Sequence, residues 1–170
     1  MALPQGRGSF DRLVSASLPA ALRFAIRLTG RLDTAEEVVQ EAMLRATRSW
    51  KTFRGESQFN TWILRIVVNA HRDRLGRSPA TEDLDNDQPD TRQPLPEDLA
   101  SASELAEVVA KCVAELPLRQ REVLVLSVYE RLDAEEIARV LQLNTANVYS
   151  TLNVARSKLR ERLGTYLAKK

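Results

Sequence analysis

An all-α fold follows from three features of the chain. Apolar residues recur at three- and four-residue spacing almost from end to end. Capping patterns stand where several of those periods begin. No stretch reads convincingly as a strand. The period breaks once, at residues 76–98, where Gly76, Pro79, Pro89, Pro94 and Pro96 stand among a crowd of acidic residues. The expected architecture is therefore two small helical domains, 1–77 and 100–170, joined by a flexible acidic linker, 78–99.

The first helix spans about Asp11 to Thr29, with Leu13, Val14, Leu18, Leu22, Ala25, Ile26 and Leu28 on its apolar side. Pro19 either kinks or divides it, and Gly30 is a plausible stop. Asp33-Thr34-Ala35-Glu36 has the capping-box pattern and predicts a second helix running to about Trp50. Its apolar positions include Val38, Val39, Ala42, Met43 and Ala46. A polar loop, Arg54-Gly55-Glu56-Ser57-Gln58, precedes a third helix capped by Asn60 or Thr61 and ending near Leu75. Trp62, Ile63, Ile66, Val67 and Ala70 form its buried stripe. Beyond the linker, Ser101–Leu116 predicts a helix ended by Pro117, and Leu118–Tyr129 another. Asp133-Ala134-Glu135-Glu136 is a second capping box, opening a short helix through Leu141. After the turn Gln142-Leu143-Asn144, a last helix carries Val148, Leu152, Ala155 and Leu159 inward.

Composition narrows the function. The chain has 170 residues, 28% of them charged, and its apolar runs are far too short for a membrane span. No apolar N-terminal stretch of signal-peptide type is present, so secretion is not expected. Cys112 and His71 are the only cysteine and histidine. That leaves no basis for a disulfide, a metal centre or a Ser-His-Asp triad. Phosphate-cradling glycine loops are missing too. No catalytic residue, metal or cofactor is expected, and the chain is not read as an enzyme. Residues 1–77 carry a net charge of +6, residues 78–100 carry −6, and residues 101–170 carry +2. Such blocks suggest contact with nucleic acid or a large charged partner.

Three constellations could carry function. Trp50, Phe53, Phe59 and Trp62 bracket the polar loop, and Arg65, Asn69 and Arg72 follow on the next helix. Rings beside hydrogen-bonding and basic groups suit an unstacked base and its phosphates; the same rings also suit a core that pins two helices across a turn. Glu37, Gln40, Glu41 and Arg45 share one helix side, either as a solvated face or as a dock for a partner helix. Asp133–Leu163, a short capped helix, a tight turn and a longer helix ending in Arg156, Lys158, Arg160 and Arg162, follows the helix-turn-helix plan. An ordinary helical hairpin is the alternative.

Taken in order, these stretches resemble bacterial sigma-70 family factors of the extracytoplasmic-function group. AEEVVQEAMLRATRSW resembles that family's region 2.2. FRGESQFNTWILRIVVNAHRDRL resembles regions 2.3 and 2.4. LPLRQREVLVLSVYERLDAEEIARVLQLNTANVYSTLNVARSKLRERL resembles region 4. The resemblance implies a cytoplasmic promoter-specificity subunit with no membrane insertion. Its partners would be core RNA polymerase (the β′ clamp helices and the β subunit), promoter DNA and an anti-sigma factor. Glu37, Gln40, Glu41 and Arg45 would contact core polymerase. Phe53, Arg54, Gly55, Glu56, Ser57, Gln58, Phe59, Arg65, Asn69 and Arg72 would bind the −10 element. Asn147, Tyr149, Ser150, Asn153, Arg156 and Lys158 would bind the −35 element. Asp73 completes a family-like R-x-x-x-N-x-x-x-D spacing. The recognition helix departs from the pattern, with Tyr149, Thr151 and Val154 at positions usually basic, which predicts weaker phosphate attraction. A stand-alone helix-turn-helix regulator and a helical adaptor without DNA binding are the competing readings.

Overall fold

The computed structural model describes residues 7–53, 55, 57–77 and 104–168. The expected linker, 78–99, and the loop residues Arg54 and Glu56 lie outside them. Among the described residues there are seven α-helices: α1 (Arg7–Thr29), α2 (Leu32–Ser49), α3 (Phe59–Arg77), α4 (Glu104–Ala114), α5 (Leu118–Val128), α6 (Ala134–Leu141) and α7 (Thr145–Leu167). One 3₁₀ turn, Trp50–Thr52, extends α2.

Helix α1 runs unbroken through Pro19. The proline removes one backbone donor, but the buried side made by Phe10, Ala21, Phe24, Ala25 and Leu28 holds the helix together. It ends where predicted: Gly30 adopts φ 73°, a conformation glycine takes without steric cost, and donates to the Ile26 carbonyl at 2.8 Å.

The start of α2 differs from expectation. The helix begins at Leu32, after an extended Arg31, and no side chain caps it. The Asp33 carboxylate is already committed: Arg31 Nε and Nη2 donate to it at 3.1 and 2.7 Å, and the Thr34 N–H donates at 2.6 Å. These bonds hold its carboxyl at about 2, below the ordinary 3.8, with the Arg31 hydrogen bond the largest cause. Helix α3 likewise begins at Phe59, two or three residues earlier than an Asn60 or Thr61 cap would allow. The Trp62 N–H donates to the Gln58 carbonyl, while Asn60 Oδ1 accepts from the Ser17 hydroxyl at 2.9 Å and ties α3 to α1.

The second group of helices follows its local signals more closely. Asp133 closes the predicted capping box: the Glu136 N–H donates to Asp133 Oδ1 at 2.8 Å, and the Asp133 N–H donates back to Glu136 Oε2 at 3.0 Å. Gln142 ends α6 in the left-handed region, φ 57°, and Asn144 Oδ1 caps α7 by accepting from the Asn147 N–H at 2.7 Å. Helix α5 breaks the simple pattern. Every residue from Arg121 to Leu126 is buried, whereas Val128 is exposed.

Helices α1, α2 and α3 pack as one bundle, and α5, α6 and α7 as another, with α4 against α7. The two groups also touch. Helix α1 lies on α4 and α5, α3 lies on α6, and one buried apolar cluster runs through both.

Candidate polymerase and promoter interfaces

Helix α2 turns Ala35, Val38, Val39, Ala42 and Ala46 inward, which leaves Glu37 and Gln40 exposed and Glu41 and Arg45 at the flank. The four form a ridge with internal charge pairing. Arg45 Nε donates to Glu41 at 2.7 Å, and Arg45 Nη1 donates to Asp73 on α3. Both bonds raise the Arg45 pKa, Glu41 more than Asp73. Arg74 Nη2 stands 2.9 Å from Glu37. Asp73 is thus a strut between α2 and α3. Gln40 stands exposed between these pairs.

The aromatic residues around the loop form a cluster of rings. Phe10 stacks on Trp50 at 5.4 Å between centroids; Phe53 meets Phe59 edge-on at 5.6 Å and Trp62 at 5.2 Å. Phe59 is 2% exposed, so no face of its ring is open to a base. Its place among the −10 contacts is therefore corrected: Phe59 anchors the loop, because burial of an aromatic ring outweighs presentation to solvent here. Trp50, Phe53 and Trp62 keep partial exposure. Gly55 crosses the loop at φ 73°, and both Gly55 and Gln58 are exposed, with Ser57 half-buried. On α3, Arg65, Asn69 and Arg72 fall within about 60° of one another at 100° per residue. Arg65 is exposed; Arg72 is held by Glu122 of α5.

The recognition-type helix α7 buries Val148, Leu152 and Ala155 and exposes Asn147, Tyr149, Ser150, Asn153 and Arg156. Asn147, Ser150 and Asn153 succeed one another at three-residue spacing. The Ser150 hydroxyl donates to the Asn147 carbonyl at 3.1 Å, which leaves its oxygen lone pairs outward. Lys158 is half-buried and lies roughly 160° around the helix from Arg156, so the two flank the exposed face from opposite sides. Arg160 adds a second exposed cation, while Arg162 is bonded to Glu115 at 3.0 Å.

What the sequence did not reveal is a set of charged groups between the two helix groups. Arg121 and Glu122 are 6% and 1% exposed. In the run Arg119-Gln120-Arg121-Glu122 they look like solvated surface, and nothing local marks them as buried.

A capped helix, a tight turn and a helix with an exposed polar face, beside a bundle with a polar ridge and an aromatic-backed loop, make an all-helical protein that carries a helix-turn-helix. Comparison with known proteins gives the family. Sigma-70 region 2 matches residues 13–79 and sigma-70 region 4 matches residues 106–159. An extracytoplasmic-function (ECF) RNA polymerase sigma-E factor of Haemophilus influenzae is 32% identical over 91% of this chain and 87% of its own length. The solved sigma factor RpoE of Bartonella quintana, in complex with the anti-sigma factor NepR, is similar with a TM-score of 0.75 and 22% identity, covering 93% of this chain and 98% of that one. CnrH in complex with the cytosolic domain of CnrY is similar with a TM-score of 0.67 and 25% identity, covering 94% and 90%. The chain belongs to the sigma-70 family, in its extracytoplasmic-function group.

Proposed function

We propose that this sigma factor binds core RNA polymerase through the α2 ridge, opens the −10 element with the loop and α3, and reads the −35 element with α7. The observation that carries the reading is the exposed strip Asn147, Ser150, Asn153 on α7, above a buried Val148, Leu152 and Ala155, in a chain where both sigma regions match in order. Amide and hydroxyl groups at that spacing fit base edges in the major groove. With Tyr149, Thr151 and Val154 in place of cations on that stretch of α7, binding to this element has a shallow salt dependence.

Glu37, Gln40, Glu41 and Arg45 contact the β′ clamp helices, and α4–α7 contacts the β subunit. The −10 contacts are Phe53, the loop residues 54–58, Arg65, Asn69 and Arg72, with Phe59 in support. The chain carries out no catalysis itself; it lends the polymerase promoter recognition. It acts in the cytoplasm, in keeping with described helices none of which is long and apolar enough to cross a membrane. An anti-sigma factor holds it in reserve, as the solved relatives bound to NepR and CnrY suggest.

Charge reversal by Glu37→Lys with Glu41→Lys tests the assignment. Of the two pairs lost, Glu37–Arg74 is exposed and Glu41–Arg45 is half-buried on the helix flank, and pairs open to solvent contribute only about 0–1 kcal/mol each. Helicity should persist while capture of core polymerase and run-off transcription fall at least tenfold, a loss of about 1.4 kcal/mol. Core binding equal to the parent's in the folded variant would refute it.

A further inference from the structure

The open surface of α7 carries two apolar side chains that the fold does not use. Tyr149 is 61% exposed and Val154 46%, while Val148, Leu152 and Ala155 of the same helix are buried. A β-branched residue in mid-helix loses side-chain freedom and makes a weaker helix than alanine, lysine or glutamate would. Val154 therefore neither strengthens α7 nor fills the core.

The two differ in where they stand. At 100° per residue, the middle of the exposed face lies opposite Val148, Leu152 and Ala155, close to Ser150 and Ser157. Val154 is about 50° from that middle, whereas Tyr149 is about 90° from it, on the flank it shares with Arg156. Asn147, Ser150 and Val154 succeed one another at i, i+3 and i+7 along one ridge. Seven residues of helix rise about 10 Å, the length of about three base pairs. Val154 is the apolar end of that ridge.

An apolar group has a narrow choice of partner in a major groove. Thymine presents a methyl group there, and the other groups on the base edges are hydrogen-bond donors or acceptors. A donor or acceptor set against Val154 would lose water and gain no partner. In a helix, valine also keeps essentially one side-chain rotamer, so its two methyl groups are already in position. Resting on the promoter reading above, we propose that Val154 selects thymine at one position of the −35 element by packing its methyl groups against the thymine 5-methyl group.

The test uses the full chain assembled with core polymerase. The holoenzyme first selects from a pool of random-sequence duplexes. The upstream element recovered is then resynthesised with each thymine replaced in turn by deoxyuridine, which removes one methyl group and leaves base pairing and phosphates unchanged. At one position the exchange should weaken binding about fourfold, the worth of one buried methyl group. The ratio should hold as salt is raised, because the contact carries no charge. Val154→Ala puts a better helix former on open surface and should bind the thymine and deoxyuridine duplexes equally. Val128→Ala removes the same atoms from the exposed end of α5 and should keep the parent's preference. Equal binding of the two duplexes by the parent, a ratio that falls with salt, or a preference that survives in Val154→Ala would overturn the assignment while the promoter reading stands. A holoenzyme that enriches no upstream element would sink the promoter reading of α7, and the role of Val154 with it.

Discussion

The sequence contains the same pattern twice, Asp33-Thr34-Ala35-Glu36 and Asp133-Ala134-Glu135-Glu136, and the structure closes only the second as a capping box. Replacing each aspartate by alanine should therefore have unequal effects. At Asp133 the change removes the acceptor for the Glu136 N–H, held at 2.8 Å, and releases the Glu136 carboxylate from the Asp133 N–H at 3.0 Å. An N-cap of this kind contributes about 1 kcal/mol. Helix α6, at eight residues, is too short to persist without its cap and its packing. For a domain of this size 1 kcal/mol lowers the melting point by about 2–4 °C. At Asp33 the same change removes an exposed carboxylate that bonds to Arg31 and the neighbouring Thr34 N–H and caps nothing, so the melting point should move less. Thermal melting followed by circular dichroism at neutral pH measures both. Asp133→Asn should restore most of the loss, since asparagine caps as well as aspartate. An Asp133→Ala melt superimposable on the parent's, or an Asp33→Ala loss as large as that of Asp133→Ala, would refute the argument. Acid titration adds a second check. Because the Asp33 carboxyl is held at about 2 against an ordinary 3.8, its contribution is present above pH 4 and disappears as pH falls toward 2. The parent should show that decline and Asp33→Ala should lack it.

Two further outcomes follow from the same geometry. Ser57→Ala with Gln58→Ala should leave the ring cluster and core binding intact but slow promoter opening about tenfold, since contacts to an unstacked base are worth roughly 1–3 kcal/mol; permanganate reactivity of unpaired thymines reads it, and unchanged opening would make the loop a mere connector. Burial raises the Glu130 carboxyl above its usual range despite Arg27 and Arg23. Its contribution to stability is therefore greatest below pH 4.5 and is lost as pH rises through its titration; Glu130→Gln should remove that loss, and denaturant melts of the two proteins across pH 4–8 would show it.

Much of this protein is legible in its amino-acid sequence. Helical spacing, Gly30 and the Asp133 box act between residues one to four positions apart, so the sequence displays them directly. The exposed and buried sides of α7 follow from the same period. The features left to the tertiary structure are those in which a side chain had more than one possible partner. Asp33 is bonded by Arg31, two residues before it, and so does not cap α2. Phe59 could have faced a base or the core, and its contacts with Phe53, Trp62 and Phe10 decide for the core. Arg72 meets Glu122 across 50 residues, and Arg121 meets Leu28 across 93. No periodicity reports such pairs, because a buried charge and a solvated one look alike in a polar run. Their burial is set by which helices pack together, and that is decided only when the whole chain has folded.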